Sequence, residues 1–387
     1  MTRYRGGAQA FVAGLVAFAV CAILGHLHPT TYNNYVLLAD AMRHGHLWID
    51  WPGPYIDAVE FEGRRYSIEA PMPALLMLPA VMLWGTAVNQ TLFAVLLCAV
   101  AVGAGWEIQR RLDVPLRTRV WLCGFLLLGT DLLWCAIYGD VWFIAHLASA
   151  AFTLLALAEL LGSKRPWLVA LWAFCAMESR FALVMAIPVY GALLFFDAKP
   201  AERRRQILVY AATLVPCALL WIGYNEARFG VPYDIGYTLF YHQDQMGSPA
   251  GSPFALSHVP LQLYSFFVRF PDTIASAPYL VPTYSGVALT WTSPALVLAF
   301  FARGPWRLVA AMWTATVLVA LPSFLYYTWG FVQFGMRHAL DFEPFLFVLM
   351  ALAVRRGIGP IGAILCTWSM LAGLWGVWYW THFYRPL

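Results

Sequence analysis

Carboxylates and guanidinium groups crowd one stretch of the chain. Asp40, Asp50, Asp57, Glu60, Glu62 and Glu69 lie beside Arg43, Arg64 and Arg65 in HLHPTTYNNYVLLADAMRHGHLWIDWPGPYIDAVEFEGRRYSIEAPMPALL. A carboxylate can take the proton of an attacking hydroxyl, and guanidinium groups can hold a phosphate through bidentate hydrogen bonds. The same residues also suit a solvated loop held by salt bridges, so two readings are open for each acid. Asp57 is the preferred base, because PYIDAVEFEGRRYS sets it shortly before Gly63, where the loop must turn back. Asp40 sits in YVLLADAMRHG, whose apolar spacing predicts a helix lying on a membrane surface, which would leave the acid facing water. Asp50 lies between Trp48 and Trp51, a pair that reads either as a sugar-stacking platform or as interface anchors.

A second polar stretch, YNEARFGVPYDIGYTLFYHQDQMGSPAGSP, offers Arg228 to a phosphate and Tyr233, Tyr237 and Tyr241 to a sugar ring, with Arg269 further on. Its glycines and prolines fit a loop that turns around a ligand, or equally one packed on a membrane surface.

These residues need a scaffold, and composition indicates which kind. Of 387 residues, 61% are hydrophobic and 11% charged, against roughly half apolar and a quarter charged in a soluble domain. That balance predicts a polytopic membrane protein, and 18 Trp, 19 Tyr and 26 Phe suit aromatic belts at the lipid-water boundary. A spanning helix needs about 20 mostly apolar residues, and about eleven runs fit, some of them short. They lie near 8–25, 90–107, 119–138, 142–161, 165–177, 181–197, 207–225, 285–302, 308–325, 339–354 and 359–380. Residues 1–387 thus read as one integral membrane domain of the all-α class. The run 8–25 reads as the first span and not as a cleaved signal.

The run 71–85 is apolar but holds three prolines and is only about fifteen residues long; it is expected to lie in the interface, because crossing would put the basic loop 110–119 outside while Arg3 and Arg5 lay inside. With that choice the positive-inside rule puts the N-terminus and most of the 24 cations on the cytoplasmic side, and most of the 20 acids outside. Two long outer loops follow, 26–89 and 226–284, rich enough in aromatic and apolar residues to predict short interfacial helices. Asp131 falls about halfway along its run, where an ionisable group is expensive; it reads as a functional group, as a protonated acid, or as a partner of Arg180.

The seven cysteines fall in apolar runs and read as small core residues. A net charge of +4, scattered along the chain, points to no nucleic acid partner. The pairs His26/His28 and His44/His46 lack a third ligand at recognisable spacing, and no nucleotide-binding motif occurs. No cofactor is called for, while a divalent metal is left open.

The order of these features resembles a known family. A first helix, an acidic outer loop, Gly63-Arg64-Arg65-Tyr66, Glu69, an interfacial helix opening with Pro71 and Pro73, and a helix ending in Arg110-Arg111 resemble the GT-C class of polyprenyl-phosphate-sugar-dependent glycosyltransferases. The likeness is to the branch with the lipid A aminoarabinose transferase and its lipopolysaccharide-modifying relatives. It continues at Asp140, where the family has a second outer Asp, at the hairpin turn Glu178-Ser179-Arg180, and at FGMRHALDFEP with Gly335, Arg337 and Pro344. One position departs: the family's Asp-Glu just past the first helix is here Thr31-Tyr32. Either the base has moved to Asp57, Asp50 or Asp40, or the chain is a non-catalytic relative.

The resemblance implies a GT-C-like bundle in the cytoplasmic membrane with an outer active site. It implies inverting transfer of a sugar from a polyprenyl-phosphate donor to a lipid, glycan or protein acceptor. Asp57 would be the base, and Asp140 would help position the acceptor or a cation. Arg64, Arg65, Arg180 and Arg337 would offset the charge of the leaving phosphate, with Glu69, Tyr66, Arg228, Tyr233 and Tyr237 contacting substrate. The rival expectation is a transporter or flippase for lipid-linked sugars, which would need polar groups spread through the membrane interior.

Overall fold

The computed structural model describes residues 2–50, 57–243, 252–330 and 332–383. Among the described residues, the regular structure is helical apart from two small antiparallel hairpins. Six helices are long and apolar enough to cross a membrane: Gly7–Gly25, Gln90–Arg111, Val141–Leu160, Pro200–Phe229, Trp306–Leu325 and Pro360–His382. A seventh span is made if the pair Leu116–Leu128 and Leu132–Tyr138, bent by 47°, counts as one. This is the architecture of a multi-pass helical membrane protein.

The expected count of about eleven is not reached by length and apolarity. Pro166–Met177, Phe181–Asp197 and Glu343–Ala353 are apolar but short. The expected span 285–302 instead forms one helical turn, Leu289–Thr292, and a 3₁₀ segment, Pro294–Phe301. Pro294, which has no N–H to donate, interrupts the α-helical hydrogen-bond ladder in that run.

Val141–Leu160 is the axis of the bundle, with 89% of its apolar window buried, and Gln90–Arg111 and Pro166–Met177 pack on it. The first helix, Thr2–Gly25, lies on the outside, leaving Phe11, Val12, Leu15 and Ile23 exposed. In water such a face would be a liability; in lipid it is an ordinary surface. The first helix meets Gln90–Arg111 through glycines. A Cβ on Gly14 would come within 2.8 Å of the Ala99 carbonyl oxygen, and one on Gly103 within 3.0 Å of that of Ala10. Small residues allow this close approach where no hydrophobic effect drives helices together.

The bend in the Leu116–Tyr138 pair falls at Gly129, Thr130 and Asp131. The Thr130 hydroxyl donates back to the Leu126 carbonyl, and Ser293 donates to that of Gly129. Asp131 therefore sits at a break and not within a continuous helix. Arg180 is engaged elsewhere, so the expected Asp131–Arg180 pair does not form.

Both long loops are structured. The first holds the helix Asn34–Arg43, a hairpin of Ala58–Phe61 with Arg64–Ser67, and the helix Met72–Trp84. The hairpin was not anticipated. Its two-residue turn is Glu62-Gly63, both with positive φ (50° and 73°), the primed-turn geometry that matches strand twist. Met72–Trp84 has 13 residues, about 20 Å of helix, shorter than the roughly 20 residues of a straight span. The second loop holds Gly236–Gln243, Val259–Phe267 and a short hairpin of Asp272–Thr273 with Leu280–Val281.

The two loops dock on each other. Gln243 exchanges two hydrogen bonds with the Glu60 backbone, at 2.9 and 3.0 Å. Val59, Tyr66 and Ile68 bury against Phe229. Together the loops roof one end of the bundle.

Candidate functional site

Beneath that roof lies a cavity of about 1710 Å³, larger than the few hundred to about 1,000 Å³ of a typical small-molecule site. Its wall includes the acids Asp57, Glu69, Asp140 and Glu178, the cations Arg180, Arg228 and Arg337, and the phenols of Tyr233 and Tyr237. These residues come from both loops and from the ends of several helices, so the cavity exists only in the folded bundle.

Asp57 immediately precedes the first hairpin strand, and its carboxylate accepts from the indole N–H of Trp142. Asp140 caps the central helix two residues earlier and accepts from the Thr30 hydroxyl. Tyr32 packs on the Trp142 ring at 4.9 Å, and its carbonyl accepts from the Val141 backbone N–H. Thr30, Thr31 and Tyr32 all line the cavity. The segment that departs from the GT-C pattern thus holds both acids in place without supplying a carboxylate itself.

Glu69 is buried, with one oxygen accepting from the Ser67 hydroxyl and the other, Oε1, lacking a hydrogen-bond partner. Burial, reinforced by the charge of Asp57, pushes Glu69 up to about 8. Burial also raises Asp140 to about 6, against the opposing pull of Thr30 and Arg337. Glu178 rises to about 7 for the same reason, opposed by Arg228. Its carbonyl accepts from the Met72 backbone N–H at 2.9 Å, which pins the Met72–Trp84 helix to the turn that carries Arg180.

Arg180 anchors a charged floor. Its Nε lies 3.2 Å from Asp341 Oδ2, and an Nη lies 3.2 Å from His338 Nδ1. His146 Nδ1 lies 2.8 Å from Asp341 Oδ1, which also accepts from Ser149 at 3.2 Å. A buried carboxylate shared by an arginine and an imidazole holds Arg180 at a fixed point. Arg337, next to His338, is buried with its guanidinium carbon 5.4 Å from the Phe143 ring centre.

Five expected site residues lie away from the cavity. Asp40 is on the surface of its helix, 3.7 Å from Arg43 and 3.6 Å from His44, and Asp50 is exposed. The strand period of two turns Arg65 outward opposite Glu60, while Val59 and Tyr66 point into the loop core. Arg64 lies over Trp48, 3.9 Å from the ring centre, so that tryptophan is covered; its expected platform partner Trp51 is outside the described residues. Tyr66 packs on Phe229 and does not line the cavity. Arg228 does line it, yet it is committed to the Ser67 carbonyl (3.1 Å), Asn225 (2.7 Å) and Asp234 (3.4 Å), tying the two loops together.

Sequence reasoning missed Thr30, Trp142, His146, His338 and Asp341. Their signal was weak: an Asp or His inside an apolar run, near Arg180 only in three dimensions. All seven cysteines are free and buried. Among the described residues, no group of three or more His, Cys, Asp or Glu side chains is placed to hold a metal ion.

The cavity can therefore hold an anionic, partly apolar ligand, with arginines at one wall and carboxylates of differing proton affinity at another. No known protein family, curated protein or solved structure matches the chain.

Proposed function

We propose that this chain is a GT-C type glycosyltransferase, moving a sugar from a polyprenyl-phosphate donor to an acceptor hydroxyl at the outer face of the cytoplasmic membrane. The observation that carries the reading is the meeting of Asp57, Glu69 and Asp140 with Arg180 and Arg337 in one large cavity at one end of an apolar bundle. Its remaining apolar helices would complete a GT-C-like set of about eleven crossings, with the N-terminus cytoplasmic.

In this reading the acceptor oxygen attacks the anomeric carbon from the face opposite the phosphate. The C–O bond to the polyprenyl phosphate breaks, its electron pair leaves on the phosphate oxygen, and the anomeric centre inverts. Arg180 and Arg337 offset the charge that develops there. Asp57 takes the acceptor proton. Of the neighbouring acids the more buried Glu69 keeps its proton at neutral pH and so cannot serve as the base. Trp142 orients Asp57, and Asp140 with Thr30 positions the acceptor. Tyr233 and Tyr237 offer ring faces to the sugar.

The test is incubation of the purified chain with a panel of polyprenyl-phosphate sugars and candidate acceptors, measuring free polyprenyl phosphate. Release with at least one donor supports transfer. A protein that moves donors between leaflets of a vesicle without releasing the lipid phosphate is a flippase, and the proposal fails.

A further inference from the structure

Two helices connect the large cavity to a second hollow at the opposite end of the bundle, and a third, Pro360–His382, packs on the segment Pro294–Phe301 that leads to it. Leu325 ends Trp306–Leu325 at the large cavity, and Pro305 precedes that helix at the small one. Arg337 and His338 precede Glu343–Ala353 at the large cavity, and Ala353 closes it at the small one. Trp380 and Thr381, near the end of Pro360–His382, line the large cavity. A helix of 20 residues spans about 30 Å, the thickness of a bilayer's hydrocarbon core. The small hollow therefore lies at the other membrane surface.

It measures about 600 Å³ and is lined by Arg303, Arg355 and Arg356 beside Phe301 and Leu352. All three arginines are exposed, and none forms an ion pair or hydrogen bond with a described residue. Elsewhere at this end, several cations are satisfied by the protein itself, and the exposed Arg204 and Arg205 line neither hollow. Glu107 holds Arg110 and Arg111, Glu159 holds Arg165, Asp197 holds Lys164, and Arg307 donates to the Phe196 carbonyl. Phe300, Phe301 and Trp306 stand exposed around the hollow, as side chains do at the depth where acyl chains meet headgroups.

We infer that this hollow binds the phosphate headgroup of an anionic membrane phospholipid, independently of the sugar-transfer site. Three guanidinium groups converge on it without a protein counter-charge, and an apolar rim stands ready for the acyl chains. Arginine matches a phosphodiester through paired N–H donors, and each basic residue near an anionic leaflet adds to the attraction.

The experiment is native mass spectrometry of the delipidated full chain, titrated with phosphatidylglycerol or phosphatidylcholine. Three proteins are compared: wild type, the triple variant Arg303→Gln, Arg355→Gln, Arg356→Gln, and the control pair Arg204→Gln, Arg205→Gln, whose exposed cations line no hollow. Wild type and control should retain one phosphatidylglycerol in preference to phosphatidylcholine, and the triple variant should retain it about tenfold more weakly. Size-exclusion elution checks folding; should the triple variant aggregate, Arg303→Gln and Arg355→Gln alone should each weaken retention several-fold. Equal retention by all three proteins, equal loss in the control pair, or full displacement by inorganic phosphate would overturn the inference.

Discussion

The indole N–H of Trp142 donates to the carboxylate of Asp57, joining the start of the loop hairpin to the first turn of the buried central helix. Trp142 lies two residues after Asp140, so one tryptophan sets the relation between the two acids. Trp142→Phe keeps the ring but removes the donor. The expected outcome is a fall of about tenfold to a hundredfold in kcat for sugar transfer, with the protein still folded. Steady-state kinetics on the purified variant check it.

The raised acids give the reaction a pH window. An ionised Asp140 is needed to position the acceptor, so the rate should rise as pH passes about 6. Loss of the Glu69 proton near 8 sets a second negative charge beside Asp57, so the rate should fall above that point. Glu69→Gln should remove the alkaline limb and keep the acid one. Stability runs the same way for both groups. Their folded affinities for protons exceed the ordinary values of 3.8 and 4.5, so the stabilisation is complete below those values and is lost as pH rises through about 6 and about 8. Rate profiles and thermal melts across pH 4 to 9 test both statements.

Buried and exposed acids should differ sharply. Asp341 is fully buried between Arg180 and His146, and removing it strands a guanidinium. Asp341→Ala should cost about 3 kcal/mol. Asp40→Ala, which breaks only half-exposed contacts to Arg43 and His44, should cost under about 1 kcal/mol. Thermal unfolding in detergent separates them.

The arginines divide in the same manner. Arg337→Ala should lower kcat/KM by about a hundredfold or more, because its charge lies on the cavity wall. Arg64→Ala and Arg65→Ala should stay close to wild type, since both side chains are exposed and neither lines the cavity. The three kinetic measurements together tell a phosphate site from a merely basic loop.

Much of the scaffold was legible in the chain. Runs such as 90–107 and 142–161 are apolar over a membrane's thickness and form long helices, and the proline-bearing run at 71 forms the shorter helix Met72–Trp84. Where apolarity alone was the guide, as at 285–302, local chain breaks overrode it. The hairpin at Glu62-Gly63 hid because four-residue strands carry too few alternations to register against helical neighbours. That hairpin decides where Arg64 and Arg65 lie, and neither lines the cavity. Arg180, Asp341 and His146 were illegible as a group, since 161 and 195 residues of separation in sequence collapse to one hydrogen-bond network only on folding.

The central claim is that Asp57 serves as the base in a cavity built for a lipid-linked sugar. Release of polyprenyl phosphate by wild type and by Asp57→Asn, measured side by side on protein that elutes identically, tests it most directly. The account predicts release by wild type and only background release by the variant. Full release by Asp57→Asn would contradict it.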